Sequence, residues 1–203
     1  MNKKVYISAD YDWSSGDRDV VEELNKWGTD NYRKVDFIDM SKVVSGSVSS
    51  SPDCRACDLK AEFNRQINAS SAVIFVIGDK TGSRTAGSSC ERNRKEWYEC
   101  LCTPYKQNVN GPKLCKHQNT YSVEPHEDTG NINSYSYLRH EFEQAVRKNK
   151  KIIIVYNSKI KQKSWLPSYM SNYEDIAIPF WIENSRGDKV GNYHFIKQEL
   201  GYE

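Results

Sequence analysis

The run Ala72–Ile77, AVIFVI, constrains the fold of this chain more than any other stretch. It is continuously apolar, rich in β-branched residues, and shorter than the helices that are buried in protein cores. Such runs are typical of strands that are covered on both faces, as the central strands of a parallel sheet are. The sequence therefore predicts a central parallel strand with helices packed on both sides of it.

Strand and helix patterns alternate on either side of this run. Apolar residues at a spacing of two predict strands, and apolar residues at helical spacing after an N-cap predict helices. Before the run, the predicted elements are a strand at Lys3–Asp10, a helix from Asp17 to Gly28 with Val20, Val21, Leu24 and Trp27 on one face, a strand at Val35–Ile38, and a helix that begins at Asp53 or Asp58. After it come a helix that begins near Tyr137, a strand at Lys150–Asn157, and an edge strand at Ile176–Ile182 that contains Pro179.

This order of elements indicates βαβ units, and the 203 residues fit one domain with an insertion. We predict a single α/β domain over residues 1–203, with a flavodoxin-like, open, doubly wound, mostly parallel sheet of about five strands. Residues 86–134 interrupt the rhythm with a polar, cysteine-containing stretch, which we predict to be an insertion in a loop. The serine-rich segment Ser41–Asp53 is predicted to be an exposed loop.

Charge and hydropathy exclude some kinds of partner. The 29 basic and 27 acidic side chains give a formal net charge of +2, so no strong field favours nucleic acid or a membrane surface. No apolar run reaches the roughly 18 residues of a membrane-spanning helix. We therefore expect a cytoplasmic protein with neither nucleic acid nor a membrane as its partner.

The six cysteines are grouped at short spacings. Pairs at such spacings are able to bind zinc, and unliganded reduced thiols are the alternative; the sequence leaves both open. The residues concerned are Cys54 and Cys57, Cys90, Cys100 and Cys102, and Cys115 with His117. The histidines belong to no hydrolase motif and are predicted to lie on the surface: His117, His126, His140 and His194.

In an open parallel sheet, ligands bind in the crevice outside the carboxyl ends of the strands. Glu141 is predicted to lie near this crevice, in the first turn of the Tyr137 helix and on the shoulder of an apolar stripe made of Leu138, Phe142, Ala145 and Val146. The helix dipole alone favours the interpretation of Glu141 as a surface acid near the helix N-terminus. The positive end of the dipole would keep its carboxylate ionised. The second interpretation is a half-shielded carboxylate that reaches the crevice and stabilises positive charge there.

The loop glycines match no dinucleotide fingerprint. GDKTGSR, residues 78–84, fits neither GxGxxG nor GxxxxGK[ST], and the loop after the first strand lacks the glycine spacing of a Rossmann dehydrogenase. A classical Rossmann dehydrogenase is therefore disfavoured, and neither a resident cofactor nor a metal ligand is assigned to the crevice.

Three blocks of sequence resemble a TIR domain, most closely the TIR proteins of the bacterial Thoeris anti-phage defence system. They are KKVYISADYD, CDLKAEFNRQINASSAVIFVIGDKTGSR and YLRHEFEQAVRKNKKIIIVYN, which together lie outside residues 86–134. The resemblance implies a flavodoxin-like TIR fold and an NAD+ glycohydrolase or ADP-ribosyl cyclase-type enzyme. NAD+ would be its substrate rather than a resident cofactor.

The resemblance also implies roles for particular residues. Glu141 would be the catalytic glutamate that engages the ribose hydroxyls and steadies an oxocarbenium-like transition state. The residues implied to border the nucleotide are Ser8, Ala9, Asp10, Tyr11, Asp79 and Thr81. The product would be a cyclic or conjugated ADP-ribose derivative that activates an effector protein, while self-assembly of TIR domains and a phage protein as trigger stay open.

Two other functions remain as alternatives. One is a non-enzymatic TIR adaptor or assembly module, which NAD+ turnover would distinguish from an enzyme. The other is an enzyme resembling nucleoside deoxyribosyltransferases, which share an open sheet and a run similar to AVIFVIGD, and which would transfer sugars between nucleosides without acting on NAD+.

Overall fold

A computed structural model of the chain describes residues 3–11, 16–29, 36–39, 52–84, 106–108, 111–113 and 136–202. The strands are β1 (Lys4–Ser8), β2 (Asp36–Asp39), β3 (Ala72–Ile77), β4 (Lys106–Asn108), β5 (Gly111–Lys113), β6 (Lys151–Tyr156), β7 (Ile178–Pro179), β8 (Trp181–Glu183) and β9 (Lys189–Gly191). The α-helices are α1 (Arg18–Thr29), α2 (Pro52–Ala69), α3 (Tyr137–Arg147) and α4 (Tyr193–Glu199). No helix among these described residues is long and apolar enough to cross a membrane.

A parallel sheet organises the molecule, with strand order β2-β1-β3-β6-β7. The central strand β3 pairs with β1 and with β6, and in this register Ile74 lies between Ile7 and Ile153. The predicted α/β class with a parallel sheet is confirmed. The β4–β5 hairpin forms a separate sheet, and when its two strands are left out of the numbering the order of the parallel sheet becomes 2-1-3-4-5. This order is compatible with a flavodoxin-like fold.

Helices cover both faces of the sheet because alternate residues of each strand point to opposite sides. On one face, Val5, Ile74 and Val155 pack with α1 and α4. On the other face, Tyr6 and Phe75 pack with α2 and α3. All six residues of β3 are buried, which explains why its sequence is apolar throughout rather than alternating.

The apolar face predicted for the first helix is buried as expected, and comprises Val20, Val21, Leu24 and Trp27. The second helix, α2, begins at Pro52, which matches the earlier of its two predicted start points. The first helix therefore packs on the sheet through the spacing seen in the sequence, and Phe63 and Ile67 of α2 are buried on the opposite face of the sheet.

Helix α3 is fixed at both ends and along its length. The side chain of Ser136 accepts a hydrogen bond from the Arg139 backbone N–H at 3.0 Å, which caps the first turn. Asn149, just beyond the helix, has a φ of 49°, a left-handed conformation that asparagine adopts more readily than most residues. Between these ends, the ring of Phe142 packs edge-on against Phe75 of β3, with ring centroids 5.5 Å apart.

The predicted edge strand Ile176–Ile182 is wrong as a single element. Ile178–Pro179 forms the edge strand β7, whereas Trp181–Glu183 pairs with β9 in a separate antiparallel hairpin. Phe180 and Trp181 are both buried although they are consecutive, which a regular strand with one covered face would not allow. The chain leaves the sheet so that Phe180 stacks on Trp27 of α1, with ring centroids 5.5 Å apart.

Some sequence predictions fall outside the described residues. The loop Ser41–Asp53 does so except for its last two residues, which belong to α2. Most of the predicted insertion at 86–134 also lies outside them, and its described part is the β4–β5 hairpin. The extent of the insertion stays a prediction.

Candidate functional site

Glu141 is buried between α3 and the sheet, with 5% of its surface exposed. The helix begins at Tyr137, so Glu141 is its fifth residue and lies beyond the first turn. The expectation of a half-shielded carboxylate in the first turn is therefore wrong. A role in satisfying the helix dipole is also disfavoured, because that effect is confined to the first turn and to groups near the helix end.

The burial pattern of α3 differs from a simple apolar stripe. His140 and Gln144 are buried together with Leu138, Phe142 and Ala145, whereas Val146 is 46% exposed. The cause is that α3 packs against α2 as well as the sheet: the Gln144 side-chain amide donates to Asn68 of α2 at 2.8 Å. The predictions of a surface position for His140 and of a core position for Val146 are therefore wrong.

Two hydroxyl groups from β1 hold the Glu141 carboxylate. The Tyr6 hydroxyl donates to Oε1 at 2.6 Å, and the Ser8 hydroxyl donates to Oε2. Tyr6 and Ser8 are two residues apart on one strand, so their side chains point to the same face of the sheet, where α3 packs. Among the residues that the structure describes, each carboxylate oxygen thus has one donor, which leaves one acceptor position on each oxygen.

Burial raises the pKa of Glu141 from its usual 4.5 to about 7, and the hydrogen bonds from Ser8 and Tyr6 oppose that rise. The expectation that the helix would keep this carboxyl ionised is therefore wrong, because desolvation outweighs every favourable contact. The same burial, followed by the charge of Glu141, raises the pKa of the Tyr6 phenol well above its usual value. Tyr6 consequently stays protonated and acts as the donor of this pair.

The loop after β1 carries three of the predicted nucleotide-bordering residues. Asp10 forms an ion pair with Arg84, whose Nε lies 2.6 Å from Oδ2, and this pair links the loops that follow β1 and β3. The Tyr11 hydroxyl donates to the Ile7 carbonyl at 3.2 Å, and Ala9 is partly buried against the α1 side of the sheet.

The loop after β3 contains the other two. Thr81 is buried, and its hydroxyl oxygen accepts a hydrogen bond from the Gly78 backbone N–H at 2.8 Å, which closes the loop from Gly78 to Thr81 just before the short turn Thr81–Ser83. Asp79 is exposed. The structure thus brings Ser8 to Glu141 and joins the two loops through Asp10, while the contacts of all six residues with a nucleotide stay a prediction.

A second buried carboxyl, Asp17, lies at the same end of the sheet. Its Oδ1 accepts a hydrogen bond at 2.9 Å from Asn157, which follows β6, and Asn157 in turn accepts one from the Trp181 indole at 2.7 Å. Burial raises the pKa of Asp17 to about 7. From the sequence, Asp17 is predicted only to begin a helix, and Tyr6 has no predicted role. The i, i+2 spacing of Tyr6 and Ser8 is the signal that places both side chains on one face of the strand.

Metal binding is not supported by the described residues, which contain no group of three or more histidine, cysteine or acidic side chains placed to hold an ion. The zinc hypothesis itself concerns side chains outside the described set: Cys54, Cys57, Cys90, Cys100, Cys102, Cys115 and His117.

A search of protein-family models, of curated proteins and of solved structures finds no match to this chain.

Proposed function

We propose that this chain is a TIR-like enzyme that cleaves the nicotinamide–ribose bond of NAD+, with Glu141 as its catalytic residue. The observation that carries the proposal is the buried Glu141 carboxyl, held by Tyr6 and Ser8 beside the carboxyl end of β1. Ligands bind at that end of open parallel sheets, and a buried, hydrogen-bonded carboxyl with a raised pKa is typical of functional sites.

The chemistry follows from the position of the charge. Loss of nicotinamide leaves positive charge on the ribose ring, and an ionised Glu141 beside it stabilises that charge. The effect is strong because the site is desolvated, and it accelerates the reaction because the charge develops only towards the transition state. The nearby cation also favours the ionised form of Glu141, whose pKa of about 7 leaves it partly protonated before substrate binds at neutral pH.

The remaining acceptor positions on the Glu141 carboxylate support a substrate that contains a ribose. Apart from the contacts with described residues, one acceptor position on each carboxylate oxygen is left for the two hydroxyls of a ribose, which supports a ribonucleotide substrate such as NAD+. With the resemblance of the three sequence blocks to Thoeris TIR proteins, this supports an ADP-ribose-derived signal as product and an effector protein as its receiver in anti-phage defence.

The test is the replacement Glu141→Gln, with Glu143→Gln as the matched control. Glu143 lies on the same helix but is partly exposed and forms an ion pair with Arg139 at 2.8 Å. In cells challenged with phage, mass spectrometry should detect nicotinamide and an ADP-ribose derivative for the original sequence and for Glu143→Gln. For Glu141→Gln we expect a loss of roughly a hundredfold or more.

Other outcomes contradict the proposal in different ways. Full turnover by a folded Glu141→Gln protein would remove Glu141 from the chemistry. Sugar transfer between deoxynucleosides without action on NAD+ would favour the deoxyribosyltransferase-like alternative. Assembly with a partner in challenged cells without any NAD+ loss would favour an adaptor.

A further inference from the structure

Tyr6 contacts Glu141 from inside the core. The side chain has no exposed surface, and its neighbours on that face of the sheet are the apolar residues Val73 and Phe75. A hydroxyl buried among apolar groups costs free energy unless it finds a partner, and phenylalanine would fill the same space without that cost. Its partner is Oε1 of Glu141, 2.6 Å away.

We propose that Tyr6 is a positioning residue that, together with Ser8, fixes the orientation of the Glu141 carboxylate. Tyr6 holds one oxygen and Ser8 holds the other, so the carboxylate cannot rotate without breaking a hydrogen bond. Both donors belong to β1, which is paired on each side with β2 and β3 and is therefore a rigid support. Tyr6 lies too deep to touch a substrate and acts only through Glu141.

This arrangement also sets the pH at which Glu141 ionises. A donor to the carboxylate favours the ionised form, and the Tyr6 hydrogen bond lowers the Glu141 pKa against the larger effect of burial. Among the residues that the structure describes, the other titratable groups that interact with this pair are Tyr169, Tyr11 and Glu62. Burial raises the pKa of Tyr169 to about 12, with a smaller contribution from the charge of Glu141, while Tyr11 and Glu62 act on Tyr6. At neutral pH Tyr169 is uncharged, so the two β1 hydroxyls remain the main tuning contacts.

The experiment compares Tyr6→Phe with Tyr156→Phe. Tyr156 is also fully buried on this face of the sheet, and its hydroxyl makes no hydrogen bond to any residue that the structure describes. The titration of the Glu141 carboxyl is followed by NMR of protein labelled with ¹³C at glutamate Cδ, and Glu141→Gln identifies the resonance. In Tyr6→Phe the midpoint should move to higher pH, whereas in Tyr156→Phe it should stay where the unaltered protein has it.

The kinetic readout rests on the proposed function. The acidic limb of the pH profile of NAD+ cleavage should move to higher pH in Tyr6→Phe, with a loss of about tenfold at pH 7 that narrows as the pH rises. A purely structural effect of the substitution would lower the rate equally at every pH. An unchanged NMR midpoint together with an unchanged acidic limb would overturn the inference.

The two readouts separate this inference from the proposed function. If NAD+ is not cleaved but the Glu141 resonance still titrates at higher pH in Tyr6→Phe, the function fails and the Tyr6–Glu141 pairing stands. If Tyr6→Phe does not fold, ¹³Cζ of Tyr6 in the unaltered protein should report the same midpoint as Glu141 and lose that transition in Glu141→Gln. A Tyr6 ¹³Cζ chemical shift that does not change as Glu141 titrates would overturn the pairing.

Discussion

At the scale of single residues, burial and hydrogen bonding have opposite effects on the pKa of Glu141. Burial disfavours the charged carboxylate, while the Tyr6 and Ser8 hydroxyls favour it. The balance leaves the pKa at about 7, so the group changes its charge near neutral pH. In the proposed reaction, a carboxyl in this range is ionised in part of the molecules and gains further charge when a cation develops beside it.

The contribution of Ser8 should depend on pH for the same reason. Ser8→Ala removes the donor to Oε2, so above pH 7 it leaves an ionised, buried carboxylate with one protein donor fewer. We expect the free energy of unfolding to fall by about 1–3 kcal/mol at pH 8, and by less at pH 5, where Glu141 is protonated. Urea denaturation at the two pH values measures the difference.

Ser71→Ala is the control for that comparison. The Ser71 hydroxyl donates to the backbone carbonyl of Lys4 at 2.8 Å, and that acceptor does not titrate. Its effect on stability should be the same at pH 5 and pH 8. An equal loss at both pH values for Ser8→Ala would contradict the assigned contact with a titrating carboxyl.

Element-scale packing brings three loops together at the carboxyl end of the sheet. Asp17 before α1 closely approaches Gly78 after β3 and accepts a hydrogen bond from Asn157 after β6. The Trp181 indole of β8 donates a hydrogen bond to Asn157. A Cβ atom at position 78 would lie 2.4 Å from Oδ1 of Asp17 and 2.9 Å from its Oδ2, far inside van der Waals contact. Glycine at this position is therefore required by the close approach of the Asp17 carboxyl.

Gly78→Ala should destabilise the protein because Asp17 cannot move away without losing its hydrogen bond to Asn157. We expect a loss of roughly 1–3 kcal/mol, measured by urea denaturation. The double variant Gly78→Ala with Asp17→Ala should lose less than the sum of the two single variants, since the clashing oxygens are gone.

Gly82→Ala provides the matched control, because a Cβ there meets nothing within 4 Å. Its stability should stay within about 0.5 kcal/mol of that of the unaltered protein. Equal effects at positions 78 and 82 would mean that Asp17 does not approach Gly78 as described.

Whole-molecule stability should decline as the pH rises towards 7. Asp17 has a folded-state pKa of about 7 against a usual 3.8, and Glu141 has about 7 against 4.5. Between these values the folded chain binds more protons than the unfolded chain, so the free energy of unfolding falls with rising pH. The proposed activity needs ionised Glu141, and activity and stability therefore change in opposite directions across this window.

Asp17→Asn should remove part of this pH dependence. The expected difference from the unaltered protein changes by on the order of 3 kcal/mol between pH 4 and pH 7.5, and it is flat above that range. Thermal or urea unfolding across this range tests it, with Asp175→Asn, which removes an exposed carboxyl, as the control. A stability difference that does not vary with pH would contradict the raised pKa of Asp17.

The sequence predicts some helices and strands in detail, but it predicts little of what surrounds Glu141. The strand Ala72–Ile77 and the buried face of α1 were predicted residue by residue, because their spacing reflects direct packing on a sheet. The β8–β9 hairpin and α4 were not, since their partners, among them Trp27, are distant in sequence. For the site, Glu141 was selected from the sequence, but its burial and its Tyr6 contact were not.

The sequence by itself determined the α/β class, the parallel arrangement and the side of α1 that faces the core, because these follow from periodicity along short segments. The tertiary structure alone decided what surrounds each charged group. Tyr6 and Glu141 are 135 residues apart in the sequence, and Asp17 and Asn157 are 140 residues apart. Their pKa values and hydrogen bonds depend on desolvation by the whole fold, which no local pattern encodes.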